Sequence, residues 1–169
     1  QGVATVPAQG DIMQARWGTN GDHPIIAIAP NSVGEMYRET IRAFNLAETY
    51  RNPVYILSDP MLAHMSERVQ IPDPATYEVV SRKRPSCPPS AYKAYADDGT
   101  GIPPMASFGD GYRWFVTGMI HDDTGFPVTN NPDRTSYLVK RLHKKIENNL
   151  SRIERYEEYR TDDADILLV

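Results

Sequence analysis

Two short apolar runs separated by one amphipathic helix constrain this chain more than any other feature. Ile25-Ile26-Ala27-Ile28-Ala29, bounded by prolines, and Val54-Tyr55-Ile56-Leu57, closed by Ser58-Asp59-Pro60, both read as strands. Between them Ser32-Val33-Gly34-Glu35 has the form of a capping box, in which the serine hydroxyl and the glutamate carboxylate satisfy each other's orphan N–H groups. The helix that follows places Val33, Met36, Tyr37, Ile41, Phe44, Ala47 and Tyr50 on one face and turns Arg38, Glu39, Arg42 and Glu48 to water, ending near Arg51-Asn52-Pro53. Strand, helix and strand in this compass form a βαβ unit. Because both strands are apolar without alternation, the expectation is an α/β fold with a parallel sheet covered on both faces and a right-handed crossover. Ligands in such folds bind beyond the carboxyl ends of the strands, here Pro30-Asn31-Ser32 and Ser58-Asp59.

Upstream, Pro7 to Trp17 reads as a short helix with Ile12, Met13 and Trp17 sharing part of a face and Gly18 closing it, before the Asn20-Gly21 turn. Downstream, periodicity collapses from Met61 to Asn131, where prolines and glycines punctuate an irregular connection; Tyr112 to Thr117 is the one short strand expected inside it. Asn131-Pro132 then opens a long helix with Leu138, Leu142, Ile146, Leu150, Ile153 and Tyr156 as its stripe. Lys140, Arg141, Lys144, Lys145, Arg152 and Arg155 read as a solvated or subunit-facing surface. Residues 161–165 form a linker into an apolar run, Ile166 to Val169, that reads as a buried strand cut short. With no initiator methionine and that ending, the chain is expected to be an excised internal piece.

Composition removes several function classes. A net charge of -4 argues against a nucleic-acid surface, which needs a basic stripe. No apolar run approaches the roughly 20 residues of a membrane span. The single cysteine, Cys87, excludes an internal disulfide, a cysteine-ligated iron–sulfur cluster and a zinc knuckle, and makes a reduced, cytoplasmic setting the expectation.

Local motifs are mostly turn chemistry. Gly109-Asp110-Gly111 with Asn130-Asn131 downstream has the letters of a magnesium and diphosphate motif, but it follows no buried strand and reads as a turn. Asp22-His23 and His121-Asp122-Asp123 lack paired ligands at helical spacing, so no metal site is assigned. Ser32 is committed to its cap and no GxSxG elbow exists, which leaves no hydrolase nucleophile; Cys87 has no activating helix terminus. Arg16 with Thr5, Gln9 and Asp11 differs: one guanidinium in a polar loop can hold a ligand carboxylate, or pair structurally with Asp11 or Asp22.

The stretches ATVPAQGDIMQARWGTNGDHPIIAIAP (residues 4–30) and NSVGEMYRETIRAFNLAETYRNPVYILSD (31–59) resemble the alpha subunit of 2-oxoacid:ferredoxin oxidoreductases, most closely the 2-oxoglutarate (KorA-type) enzymes. PPMASFGDGYRWFVTGMIHDDTGFP (103–127) and the closing TDDADILLV are similar to further passages of that family, so the resemblance covers essentially the whole chain. It implies that residues 1–70 are the second half of a thiamine-diphosphate (pyrimidine-binding) domain, 71–131 an insertion, 132–160 a long helix, and 161–169 a linker and the first strand of a following domain.

The resemblance also implies thiamine diphosphate shared with a beta subunit that supplies magnesium, diphosphate binding and an iron–sulfur cluster, with gamma and delta subunits in some members. In such enzymes coenzyme A takes the acyl group, carbon dioxide leaves, and electrons pass to ferredoxin. Thr5 matches the last threonine of the family's substrate loop, while Gln1 and Ala4 stand where a threonine and a proline are usual. Arg16 matches a family arginine, and Gln9 lies in the same loop. The catalytic glutamate and the substrate arginine of the family lie upstream of this sequence, so no catalytic residue is assigned. The alternative is a non-catalytic docking module of that or another multisubunit complex.

Overall fold

The computed structural model describes residues 9–19 and 23–167. The expected unit is present: β1 (Ile26–Ile28) and β2 (Val54–Ile56) are adjacent and parallel, with Ile26 opposite Val54 and Ile28 opposite Ile56, joined by α2 (Val33–Tyr50). The Leu57 N–H extends the ladder to the Ile28 carbonyl at 2.8 Å. At the start of α2 the Ser32 hydroxyl accepts from the Glu35 N–H at 3.1 Å. The Glu35 carboxylate reaches the Asn31 N–H at 2.9 Å, one residue before the position a reciprocal box requires.

Both strands alternate in burial rather than being covered on both faces, because α2 and the later helix α4 (Pro132–Glu147) cover one side only among the described residues. Ile26 and Ile28 pack with Ala43, Leu46, Tyr50 and Ile146, whereas Ala27 and Tyr55 face outward. The buried face of α2 is therefore rotated from the expected stripe. It runs through Glu39, Ala43, Leu46 and Tyr50, and Phe44 is 70% exposed. Glu39 can lie on that face because Arg42 and Arg155 meet its carboxylate at 2.8 and 2.9 Å.

Other elements depart from expectation for local reasons. Helix α1 (Gly10–Trp17) is closed by Gly18 as expected, but Ile12, Met13 and Trp17 are all more than half exposed and only Ala15 is buried. Helix α3 (Pro60–His64) falls where an irregular connection was expected to begin; its signal is Asp59-Pro60, an N-cap carboxylate that accepts from the Leu62 N–H at 2.8 Å with proline at the first position. The expected long C-terminal helix breaks at Asn148-Asn149, resumes for one turn as α5 (Leu150–Ile153), and ends there, so Tyr156 is exposed. Ile166 and Leu167 are exposed and not in a strand, the rest of that run lying outside the described residues.

The insertion has no strand at Tyr112 to Thr117, only two single 3-10 turns and a bridge between His121 and Pro127. It has a small core of its own, Tyr92, Ala94 and Ala106, with Cys87, Tyr95, Tyr112 and Trp114 around it. Tyrosine hydroxyls take the place of a ladder here: Tyr112 donates to the Cys87 carbonyl at 2.7 Å, Tyr92 to that of Pro104 at 3.1 Å, and Tyr95 to that of Phe115 at 2.8 Å.

Cations fasten the insertion to the helices. Arg51 caps α2 in the left-handed region (φ 46°), donates to the Ala94 carbonyl at 2.5 Å, and lies 4.9 Å from the Tyr95 ring centre. Arg141 and Lys145, expected on a solvated face, are buried instead; Arg141 donates to the Tyr95 carbonyl at 2.6 Å and Lys145 to that of Arg51 at 3.1 Å. Arg134 completes the seam through the His121 carbonyl and the Asp123 carboxylate.

Candidate functional site

The carboxyl ends of β1 and β2 lead into Pro30-Asn31-Ser32 and Ser58-Asp59, and the side chains there have mostly local duties. Ser32 caps α2, Glu35 holds the Asn31 N–H, Asp59 caps α3, and the Ser58 hydroxyl donates to the Asp59 carbonyl at 3.3 Å. A depression of about 1000 Å³ begins at Asn31 and runs along β1 between α2 and the segment after α5. Glu35, Arg38, Glu39, Arg42 and Arg155 make it a charged trough. Burial raises the Glu39 carboxyl, but the hydrogen bonds from Arg42 and Arg155 outweigh that and hold it below its ordinary value.

Of the residues expected at a ligand loop, Thr5 and Asp22 lie outside the described residues. Gln9 sits exposed at the N-cap of α1 without a capping hydrogen bond from its side chain. Arg16 is exposed on the last turn of α1, its guanidinium 4.0 Å from the Trp17 ring centre. Among the described residues no carboxylate lies within ion-pair distance of Arg16, so pairing with Asp11 is not the arrangement observed. Gln9 and Arg16 thus occupy the two ends of one eight-residue helix.

The remaining motifs resolve as turns. Gly109 and Gly111 have φ of +92° and +82°, and the Asp110 carboxylate between them accepts from the Ser107 N–H and from Arg84 at 3.0 and 2.9 Å. Asn131 caps α4 by accepting from the Arg134 N–H. Asp122 folds back onto Thr124 and Phe126, and its carboxyl lies below its ordinary value, chiefly through the Thr124 hydroxyl. Among the described residues no group of three or more His, Cys, Asp or Glu side chains is placed to hold a metal ion, nor is any helix long and apolar enough to cross a membrane.

A parallel βαβ unit defines this as an α/β protein, a class in which ligands bind beyond the carboxyl ends of the strands. The chain belongs to the pyruvate flavodoxin/ferredoxin oxidoreductase, thiamine diphosphate-binding family, whose model matches residues 1–141. It is 47% identical over 168 residues to the 2-oxoglutarate synthase subunit KorA of Methanothermobacter marburgensis, covering 99% of this chain and 44% of that relative. The corresponding subunit of Methanocaldococcus jannaschii is 43% identical over the same shares of the two chains. Among solved structures, the 2-oxoglutarate:ferredoxin oxidoreductase of Magnetococcus marinus, with 2-oxoglutarate, coenzyme A and succinyl-CoA bound, matches with a TM-score of 0.74. The identity is 27%, over 89% of this chain and 27% of that one. This chain therefore spans less than half the length of these relatives.

The family description implies thiamine diphosphate, and the described residues at the strand ends do not form a diphosphate cradle. A diphosphate needs free N–H donors or cations. At the α2 amino end the Ser32 hydroxyl takes the Glu35 N–H and the Glu35 carboxylate takes the Asn31 N–H, so a negative charge already stands there, and Asp110 is engaged by Arg84.

Sequence reasoning missed the buried cations at the insertion seam. A signal existed: Leu138, Arg141 and Lys145 recur at i, i+3 and i+7, beside Ile146 on the buried side of α4.

Proposed function

We propose that this chain is part of the alpha subunit of a thiamine-diphosphate-dependent 2-oxoacid:ferredoxin oxidoreductase acting on 2-oxoglutarate. The observation that carries this reading is 47% identity across 99% of the chain to a subunit named 2-oxoglutarate synthase. In the reaction the bond between the carboxylate and the keto carbon breaks and carbon dioxide leaves. The acyl carbon is oxidised by two electrons that pass to ferredoxin, and coenzyme A takes the acyl group as a thioester. Thiamine diphosphate supplies the electron sink for that cleavage. A beta subunit holds the diphosphate, magnesium and an iron–sulfur cluster, with gamma or delta subunits where the assembly has them.

This chain's own contribution is the wall that ends in Asn31 and Ser58, together with the α1 region. Thr5, Gln9 and Arg16 line the substrate side, Arg16 holding a carboxylate through charge-assisted hydrogen bonds, for which its guanidinium lacks a carboxylate competitor among the described residues. The complex works in the cytoplasm. A purely docking role is a second reading, favoured by the apolar side chains the insertion exposes, Phe108 (91%) and Val116 (74%) among them.

The test is to purify the complete subunit with its partners and follow 2-oxoacid- and coenzyme A-dependent reduction of a viologen dye. Reduction with 2-oxoglutarate, and weaker reduction with pyruvate or 2-oxoisovalerate, is expected. No reduction with any 2-oxoacid overturns the assignment, and binding of thiamine diphosphate by the isolated 169-residue chain overturns the purely docking reading.

A further inference from the structure

Where the carboxyl end of α2 meets the insertion, a cavity of about 220 Å³ is lined by Glu48, Arg51, Asn52, Arg82, Lys83 and Met105, among others. Its charge is unbalanced. Glu48 is the one carboxylate on the lining, and Arg82 already grips both its oxygens, Nε at 2.7 Å and Nη2 at 2.6 Å. Lys83 is paired with Asp98, which lies outside the lining, and reaches the Ile102 carbonyl, so the imbalance rests on Arg51.

Arg51 has no carboxylate within ion-pair distance among the described residues, and only its Nη1 makes hydrogen bonds, all to main-chain carbonyls. Lys145 is buried behind it on the Arg51 carbonyl. Arg141 is buried on the Tyr95 carbonyl, and its Nε has no partner. Half-buried and buried cations met by carbonyl dipoles and aromatic rings rather than by carboxylates remain short of counter-charge, in a chain whose net charge is -4. Burial first, and neighbouring cations after it, hold Arg51 and Lys145 below their ordinary values.

We propose that this cavity binds a small phosphate-class oxyanion, held by the free edge of the Arg51 guanidinium together with Arg82 and Lys83. Size selects the class: 220 Å³ is below the roughly 300 Å³ at which pockets for drug-sized ligands begin, so coenzyme A and thiamine diphosphate are too large. The site is also remote from the strand-end crevice. It lies at the opposite end of α2, whose 18 residues span about 27 Å. An anion there ties the insertion to α2, and this inference stands whether or not the oxidoreductase reading does.

The experiment titrates the full-length protein in its native complex with inorganic phosphate by calorimetry, at ionic strength held constant with potassium chloride. Saturable binding and a raised unfolding temperature are expected. Two substitutions of partly exposed lining residues move the affinity in opposite directions. Lys83→Gln removes a cation and weakens binding about tenfold. Glu48→Gln removes the repelling carboxylate, releases Arg82 and strengthens binding. Circular dichroism verifies that both variants keep the fold. Absence of saturation at tens of millimolar phosphate overturns the proposal, as does an affinity that either variant leaves unchanged or shifts the wrong way.

Discussion

The Lys145 ammonium donates to the main-chain carbonyl of Arg51 at 3.1 Å, joining the last turn of α4 to the residue that ends α2 across 94 positions of sequence. The contact gives a carbonyl at the negative end of a helix its donor. Burial, then Arg141 and Arg51, push the Lys145 amine down from 10.5 to about 8. The unfolded chain keeps this proton to about 10.5 and the folded chain releases it near 8, so in that window the unfolded state binds more protons and stability rises with pH. Lys145→Met removes this rise. The stability difference between wild type and variant, from urea midpoints at pH 7 and pH 10, should widen in favour of wild type by on the order of 1–3 kcal/mol.

Glu39 behaves in the opposite sense. Its folded carboxyl lies below 4.5, so the stability it contributes is present above that value and lost as pH falls through the folded value. Glu39→Gln should cost on the order of 1–3 kcal/mol at neutral pH, since Arg42 and Arg155 lose a common anion. The cost should shrink as pH falls from 4.5 through the lower folded value, where wild type becomes protonated as well. Thermal unfolding scans of both proteins from neutral to acid pH measure it. A cost independent of pH would mean that shape rather than charge matters at this position.

How far the sequence reveals this molecule depends on whether the partners are near in the chain. The βαβ unit is legible because its signals are local: prolines bounding Ile25 to Ala29, Ser32 three positions before Glu35, and an 18-residue amphipathic helix. Glu39, Arg141 and Lys145 read as solvent-facing because their partners, Arg155, Tyr95 and Arg51, are 116, 46 and 94 residues away. Tyr112 to Thr117 has the composition of a strand but no neighbour to pair with, so it is extended chain fixed by tyrosine hydroxyls. The family could be recognised because its motifs are contiguous. Thr5, matched to the family's substrate loop by resemblance, lies outside the described residues.

Ser32 separates a structural from a chemical role at the strand ends. Its hydroxyl accepts from the Glu35 N–H at 3.1 Å, the bond of an N-cap. Ser32→Ala should lower stability by about 1 kcal/mol. Ser32→Asp, which keeps an acceptor, should recover most of it. Dye-reduction turnover of the complete complex should be unchanged in Ser32→Ala; a large loss of turnover with normal stability would place the hydroxyl in the reaction.

Two glycines of the insertion share a backbone conformation and differ in surroundings. Gly99 has φ +91° with open space where a methyl group would stand, whereas a Cβ at Gly125, φ +95°, would come 2.8 Å from Tyr95 Cε2 and 3.1 Å from the Phe115 carbonyl. Gly99→Ala therefore meets only the conformational cost, roughly 1–2 kcal/mol. Gly125→Ala adds overpacking of about 1–3 kcal/mol against a ring whose hydroxyl donates to that same Phe115 carbonyl. The Tyr95 and Trp114 rings lie edge to face, so the second substitution should also alter Trp114 fluorescence while the first leaves it unchanged. Chemical denaturation with fluorescence detection reads both effects at once. Equal destabilisation by the two would show that Tyr95 moves aside freely, and that Arg51, stacked on the same ring, does not hold it in place.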